Sequence, residues 1–192
     1  MELNTIYIDM DGTFWDTVTD ICELYAEDFC DHPDFILRVE REIDTWGFEE
    51  LSLASYDYLN DYFSDARFFE NIHPFPMAKA VCEVLSRNYR IVFVSIGTNV
   101  NLFGKRCWLK DNMHCPYEFI GVKIDDHDDK SHIDMSDGFF IDDSYDNLKT
   151  SNAAVNICFG KKVSWNEKWD GLRLKSWEDV YEYITNFDEE TL

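Results

Sequence analysis

The chain has 192 residues, of which 45% are hydrophobic and 16% aromatic. This composition is typical of a globular protein and excludes wholesale disorder. The 39 acidic and 17 basic residues leave a formal net charge of −22. Such a charge repels phosphate backbones, so we expect no binding to nucleic acid polymers. The charge does not exclude binding of a small phosphorylated ligand, because a metal ion and a few cations can reverse the field inside a site.

The cysteine pattern and the short apolar runs predict a cytoplasmic protein. The six cysteines are scattered, with no C-x-x-C spacing, as in proteins whose thiols stay reduced. The longest apolar run, residues 91–94, is far shorter than the roughly 20 residues that a membrane span needs. The first residues lead directly into a predicted strand, so we expect no signal peptide and no membrane association.

In chain order, the first predicted element is a short buried strand over residues 5–8, rich in β-branched and aromatic side chains. A strongly acidic stretch with helical periodicity follows, over residues 14–69. Its apolar residues recur at intervals of three and four, at Ile21, Leu24, Tyr25 and Phe29 and again at Ile36, Val39 and Ile43. The stretch is several helices long, so we interpret it as a cap inserted after the first strand.

From residue 77 onward, helices and strands alternate. Helices are predicted at residues 77–88, 99–110, 145–151 and 177–187, and strands at 90–94, 119–122, 138–141, 154–159 and, as an edge strand, 172–174. Such alternation favours an α/β fold with a mostly parallel sheet covered by helices on both faces. We therefore expect a core domain of residues 1–13 and 74–192 and a helical cap of residues 14–73.

Acidic residues stand where two of these strands end. Asp9 and Asp11 follow the first strand, and Asp142 and Asp143 follow the strand at residues 138–141. The carboxyl ends of parallel strands meet at one edge of the sheet, where ligands bind. Four carboxylates in one small volume are unfavourable without a counter-ion, so a divalent cation is expected. All-oxygen ligands favour Mg²⁺.

Three further polar residues are placed to reach this edge. Ser95 directly follows the strand at residues 90–94, where a hydroxyl and free amides can hold phosphate oxygens or simply cap the next helix. Lys130 follows four aspartates in a loop, and Lys105 lies on the helix after Ser95. Either lysine could reach a phosphate or could be a solvated surface charge, and both alternatives stay open from the spacing alone.

Together these residues resemble the motifs of the haloacid dehalogenase-like (HAD) phosphohydrolases. Residues 9–13, Asp-Met-Asp-Gly-Thr, resemble motif one, Ser95 motif two, Lys130 motif three and the pair at 142–143 motif four. Within that superfamily the chain is most similar to the 5′(3′)-deoxyribonucleotidases and their phage and bacterial relatives, through residues 68–76, 105–108 and 176–179. The resemblance implies a Rossmann-like HAD core with an inserted helical cap. Ile96 and Gly97 depart from the small polar residue and proline that are usual there.

The resemblance also implies a Mg²⁺-dependent phosphomonoesterase that acts on (deoxy)nucleoside monophosphates. Asp9 would attack phosphorus and form an aspartyl-phosphate, and Asp11 would protonate the leaving oxygen and then activate water. Mg²⁺ would be held by the Asp9 carboxylate, the Asp11 main-chain carbonyl and Asp142, with Asp143 supporting it. The resemblance places the remaining contacts to the phosphate at Gly12, Ser95, Lys105 and Lys130.

Recognition of the base would fall to the cap, where the candidate stacking residues are Trp46, Phe48 and Phe63. The same aromatic side chains could equally be core. Two other functions stay open at this point: a HAD phosphatase for another small phosphorylated metabolite, and an acidic, non-catalytic interaction protein on a HAD fold. The sequence leaves the preferred base, the 5′ or 3′ position of the phosphate and the formation of a homodimer undecided.

Overall fold

The computed structural model describes residues 3–188. The strands are β1 (Thr5–Ile8), β2 (Arg90–Gly97), β3 (Glu118–Lys123), β4 (Gly138–Asp142), β5 (Val155–Phe159) and β6 (Arg173–Leu174). The helices are α1 (Thr17–Phe29), α2 (Tyr56–Asp61), α3 (Ala66–Asn71), α4 (Ala78–Leu85), α5 (Asn99–Asn112), α6 (Tyr145–Thr150) and α7 (Trp177–Thr185), with 3₁₀ turns at Glu40–Glu42 and Tyr62–Ser64.

The six strands form one sheet in the order β3-β2-β1-β4-β5-β6, and every neighbouring pair is parallel. In the centre of the sheet, Ile8 at the end of β1 lies opposite Phe93 of β2 and Ile141 of β4. The carboxyl ends of β1 and β4 are therefore level with one another, while β2 continues beyond them to Gly97. This arrangement confirms the predicted parallel α/β sheet and aligns the segments that carry the acidic residues.

Alternate side chains of β1 enter hydrophobic cores on opposite faces of the sheet, as the twofold period of a strand requires. Ile6 and Ile8 lie in the larger core together with Trp177 of α7. Tyr7 packs on the other face with Val92 and other buried residues of the neighbouring strands. Helices on both faces bury these side chains, so the central strands are fully enclosed and their ends are held rigidly.

The segment between β1 and β2 is helical, but one predicted part of it is wrong. Helix α1 confirms the first apolar repeat, whereas Ile36, Val39 and Ile43 do not lie on a helix. Only the 3₁₀ turn at residues 40–42 forms there, and Ile36 and Val39 are 58% and 41% exposed. Three apolar positions over eight residues are too short a pattern to fix a helix when only Ile43 finds a buried partner surface.

Helix α7 fixes the loop that follows β1. Ser176 begins the helix as predicted: its hydroxyl accepts from the Asp179 N–H, and the Asp179 carboxylate accepts from the Ser176 N–H, each at 3.1 Å. The buried Trp177 that follows donates its indole N–H to the carbonyl of Thr13 at 3.1 Å. The N-terminus of α7 therefore holds the turn that carries the first acidic pair.

Two observations bear on the expected cellular setting. All six cysteines are free thiols in the structure. Among residues 3–188, none of the helices combines the length and the apolar character needed to cross a bilayer.

Candidate active site

A tight turn after β1 positions Asp9 and Asp11. The Asp9 N–H donates to the Ile141 carbonyl at 2.9 Å, which extends the β1–β4 ladder by one residue. The Met10 carbonyl then accepts from the N–H groups of both Phe14 and Trp15, at 3.0 and 2.8 Å, and reverses the chain. The Asp9 side chain is almost fully buried, whereas that of Asp11 is 13% exposed.

The second acidic pair ends β4 and lies within reach of Asp9. Asp142 is fully buried, and its carboxylate accepts from the Ser144 N–H at 2.7 Å and from the Asn147 amide at 3.1 Å. Asp143 accepts the indole N–H of Trp165 at 2.7 Å. Carboxylate oxygens of Asp9, Asp142 and Asp143 all lie within 4.8 Å of one another. The structure therefore brings the two acidic pairs together, as the parallel topology predicted.

Both lysines are buried in this cluster, so neither is a solvated charge. Lys130 is 1% exposed; its ammonium group forms an ion pair with Asp9 and another with Asp142, the latter at 2.6 Å. Lys105 is 0% exposed, forms an ion pair with Asp11 and donates to the Ser95 hydroxyl at 2.7 Å. Each cation thus joins two of the groups that the sequence singled out.

The mutual burial of these charges shifts their pKa values. Burial raises the pKa of Asp9 to about 7, against the attraction of Lys130 and together with repulsion from Asp142 and Asp11. Burial also raises the pKa of Asp143 well above its usual range, helped by repulsion from Asp142. Burial lowers the pKa of Lys130, but Asp142 and Asp9 outweigh this effect and raise it overall. Burial and mutual repulsion therefore disfavour the ionised forms of the Asp9 and Asp143 carboxyl groups in the absence of a further cation.

Gly12 is required by the carboxylate of Asp143. Gly12 has a φ of +72°, in the left-handed region that favours glycine. A Cβ at this position would overlap the Asp143 carboxylate. The sequence predicted a glycine that lets the backbone approach a phosphate; the structure shows that it also makes room for the fourth aspartate.

A cavity of about 450 Å³ opens above the acidic cluster. It is lined by Asp9, Asp11, Trp46, Ile96, Ile124, Asp128, Lys130, Asp143, Ser144, Tyr145, Asp146, Asn147, Ser164, Trp165 and Lys168. Its floor is acidic and cationic, and two indole rings belong to its wall. The cavity therefore offers a polar end for a charged group and an apolar surface for a ring.

Of the three cap aromatics predicted to stack on a base, only Trp46 lines this cavity. Phe48 is 3% exposed, and its ring centroid lies 5.9 Å from that of Trp46. Phe63 lies 6.2 Å from Trp46 and 5.7 Å from the buried Phe68. The aromatic side chains face each other because burial of their rings stabilises the cap core. Phe48 and Phe63 thus support Trp46 and are not part of the cavity wall.

Sequence reasoning missed three residues of the site. Asn147 contacts Asp142 from the first turn of α6, five residues further along, and this short spacing is a usable signal. Thr17 accepts from the Gly12 N–H at 3.3 Å and donates to Asp11 at 3.4 Å. Trp165 lies in the loop between β5 and β6, where no motif marks it.

Comparison with known families identifies the chain. The sequence model described as "5′ nucleotidase, deoxy (Pyrimidine), cytosolic type C protein" matches residues 3–188. The chain belongs to this family. No curated protein sequence matches it. The chain is therefore a hydrolase that acts on phosphomonoesters, and the resemblance drawn from its motifs is confirmed. This membership decides for an enzyme over the non-catalytic interaction protein.

Solved structures share the fold across nearly the whole chain. A HAD-superfamily hydrolase from Ehrlichia chaffeensis has a TM-score of 0.60 at 15% identity, covering 96% of this chain and 98% of its own. A predicted phosphatase from Clostridium acetobutylicum has a TM-score of 0.64 at 14% identity, with 97% and 100% covered. The HAD-hydrolase YfnB from Bacillus subtilis, crystallised with magnesium, has a TM-score of 0.59 at 14% identity, with 97% and 100% covered. At this identity they show the HAD fold alone.

Proposed function

We propose that this family member is a cytoplasmic, Mg²⁺-dependent phosphatase that hydrolyses (deoxy)nucleoside monophosphates to nucleoside and phosphate. The observation that carries the proposal is a cavity lined by Asp9, Asp11, Lys130 and two tryptophans, in which each of the two aspartates is paired with a buried lysine. A phosphate fits the charged end, and a flat base fits the aromatic wall.

The acidic cluster fits a divalent cation. Three buried carboxylates, those of Asp9, Asp142 and Asp143, have oxygens within 4.8 Å of one another, and Lys130 forms ion pairs with two of them. Clustered hard oxygen ligands of this kind suit Mg²⁺. These carboxylates, with the Asp11 main-chain carbonyl, would hold it. When bound, the metal withdraws charge from the phosphoryl oxygens and orients them.

The two aspartates of the first turn would divide the reaction into two steps. In the first step an Asp9 oxygen attacks phosphorus, the ester P–O bond breaks, and the leaving nucleoside oxygen takes a proton from Asp11. In the second, Asp11 takes a proton from water, whose oxygen attacks phosphorus and releases phosphate and the Asp9 carboxylate. The ion pair between Asp11 and Lys105 keeps this carboxyl aimed into the site between the steps.

The buried cations would stabilise the transferring group. Phosphoryl transfer depends on positioning and charge neutralisation more than on new covalent chemistry. Lys130, Lys105 and the Ser95 hydroxyl converge on the same edge of the sheet, and their N–H and O–H groups can donate to phosphoryl oxygens. Because they are already held in place by the aspartates, little reorganisation accompanies the reaction.

The test is phosphate release from a panel of 5′ and 3′ deoxy- and ribonucleoside monophosphates and sugar phosphates, with Mg²⁺ and with EDTA. We expect Mg²⁺-dependent release with nucleotides preferred. Asp9→Asn removes the nucleophile and should lower kcat by roughly 10³-fold or more. Asp125→Asn, in the exposed loop before Lys130, is the matched control and should retain wild-type kcat.

Two outcomes would contradict the proposal. A higher kcat/KM for sugar phosphates than for every nucleotide would leave the phosphatase and reject the nucleotide as its substrate. An Asp9→Asn variant with a tenth of the wild-type kcat would remove Asp9 as the nucleophile.

A further inference from the structure

One side chain of the core, Trp165, contacts both the acidic cluster and the cap. Its indole Nε1–H donates to Oδ2 of Asp143 at 2.7 Å. Its ring meets Trp46 edge to face, with centroids 5.4 Å apart and planes inclined by 63°. Both indoles line the cavity above Asp9 and Asp11. The polar edge of one ring is therefore used by a carboxylate, while its apolar surface faces the substrate space.

Asp143 depends on this indole for its orientation. Among the described residues, Trp165 is the only side chain that donates a hydrogen bond to its carboxylate. On the opposite side the carboxylate occupies the space that a Cβ on Gly12 would fill. The side chain is 6% exposed and borders the cavity, so a lost donor leaves it with only a small surface for water. The carboxylate is thus confined between a glycine and an indole N–H.

The loop that carries Trp165 is fixed to both parts of the site. The Trp165 carbonyl accepts from the Tyr145 N–H at 3.1 Å, where α6 begins. The neighbouring Ser164 N–H donates to the Asp44 carbonyl at 3.3 Å, and its hydroxyl donates to the same oxygen. Lys161 forms an ion pair with Glu40 at 2.6 Å. These bonds hold the backbone in place without the indole, so the side chain itself can be tested.

We propose that Trp165 is a positioning residue that couples contact with the substrate's base to the orientation of the Asp143 carboxylate. The inference rests on the proposed function, since it takes Asp143 as part of the Mg²⁺ site and the ring in the cavity as a base. A base packed against the two indoles restrains Trp165 and, through its N–H, Asp143. With a phosphate ester that has no base, only the loop restrains Trp165. Discrimination against such esters therefore acts on kcat as well as on KM.

The decisive variant is Trp165→Phe, which retains a flat ring and removes the N–H. Mg²⁺ affinity is measured by calorimetry without substrate, and kcat and KM are measured for a nucleoside monophosphate and for ribose 5-phosphate. We expect Mg²⁺ affinity and nucleotide kcat each to fall about 10–100-fold, as for loss of an outer-shell partner. The nucleotide KM should change less than about twofold because the ring remains. Trp165→His, whose imidazole N–H can donate, should recover part of both losses.

Trp169→Phe is the matched control, because Trp169 lies in the same loop and its indole donates to the Leu172 carbonyl at 3.0 Å, away from the cavity. It should retain wild-type Mg²⁺ affinity and kcat. Wild-type values in Trp165→Phe, or equal losses in both variants, would overturn the proposal. Trp165→Leu, which also lacks the N–H, replaces the Phe variant if thermal melting shows it unfolded. A wild-type protein inactive on all nucleotides would contradict the proposed function, while the Mg²⁺ titrations would still decide the role of Trp165.

Discussion

At the scale of single residues, each buried lysine lies between two polar groups that come from different strands. Lys130 joins Asp9 after β1 to Asp142 in β4, and Lys105 joins Asp11 to Ser95 in β2. Removing an ammonium group from water is strongly unfavourable unless opposite charges surround it. The same ion pairs therefore serve the fold and prepare cations for a phosphate.

Lys130→Met tests both roles, since it keeps the length of the side chain and removes its charge. We expect kcat/KM for the preferred phosphomonoester to fall at least about 100-fold, because a preorganised donor is lost. We expect the free energy of unfolding to fall by about 3–5 kcal/mol, because Asp9 and Asp142 then lie buried without their cation. Steady-state kinetics with Mg²⁺ measures the change in kcat/KM. Urea unfolding in Mg²⁺-free buffer measures the change in the free energy of unfolding.

Lys123→Met is the control for this prediction, because Lys123 is exposed at the end of β3. It should change neither quantity. An unchanged kcat/KM in Lys130→Met would restrict Lys130 to a structural role.

The sequence was sufficient to predict which aspartates come together, but not that the two lysines are buried in ion pairs with them. Asp9 and Asp142 follow apolar strands, and parallel pairing brings strand ends together whatever the intervening loops do. The position of Lys130 depends on the path of its loop, which no local pattern determines. Trp165 is harder still, because an aromatic residue in a polar loop has no periodicity or motif to mark it.

At the scale of elements, the four inner strands β1, β2, β4 and β5 were predictable because they are largely buried apolar runs. Each of the predicted strands has a counterpart in the sheet. The segment between β1 and α4 was less predictable, since its helices after α1 have only 6 residues each and the rest takes its conformation from tertiary contacts. Phe48, with a φ of +54°, shows this: a local turn closed by its N–H to the Thr45 carbonyl at 2.9 Å turns its ring into the core.

A hydrogen-bonded pair, of which only the aspartate is buried, connects α1 to the segment that leads into α4. Asp20 of α1 is buried and accepts from the His73 N–H at 3.2 Å, and it lies 2.7 Å from Nδ1 of that histidine. Burial raises the pKa of Asp20 to about 6, although the hydrogen bonds from His73 oppose the shift. The hydrogen bond to Asp20 raises the pKa of His73 against the effect of burial. Protonation of the imidazole therefore stabilises this junction.

This pair predicts a pH-dependent effect of His73→Gln on stability. Because the pKa of His73 is raised in the folded state, its contribution is complete below about 6.5, the ordinary value, and is lost as pH rises through the folded value. The difference in unfolding free energy between wild type and variant should thus be larger at pH 6.5, where Asp20, with its pKa of about 6, is still mostly ionised, than at pH 8.5. Since the imidazole is 60% exposed, we expect the change to stay below about 1 kcal/mol.

Urea unfolding of both proteins at the two pH values measures this difference. His114→Gln is the control, because His114 is exposed and forms no ion pair within residues 3–188. Equal differences at both pH values for His73→Gln would mean that the charge of the imidazole does not hold the junction.

At the scale of the whole molecule, the net charge of the protein has the same sign as the charge of its substrate and repels it. The formal net charge is −22, and four of the aspartates and two of the lysines included in it lie in the described site. A phosphate dianion therefore approaches through a repulsive field until it reaches the buried cations and the expected Mg²⁺. We expect this charge to repel nucleic acid polymers over many phosphates, whereas one small phosphate needs only a local reversal of the field.

Screening this field should accelerate substrate capture. The Debye length falls from about 30 Å at 0.01 M salt to about 8 Å at 0.15 M. At saturating Mg²⁺ we expect kcat/KM for a nucleotide to rise severalfold over this range, mainly through a lower KM, because kcat depends on charges already in contact. Inhibition by the uncharged nucleoside product is the control, and its inhibition constant should not change. A kcat/KM that falls with salt would show that the lysines and the metal, rather than the acidic surface, dominate the field that the substrate meets.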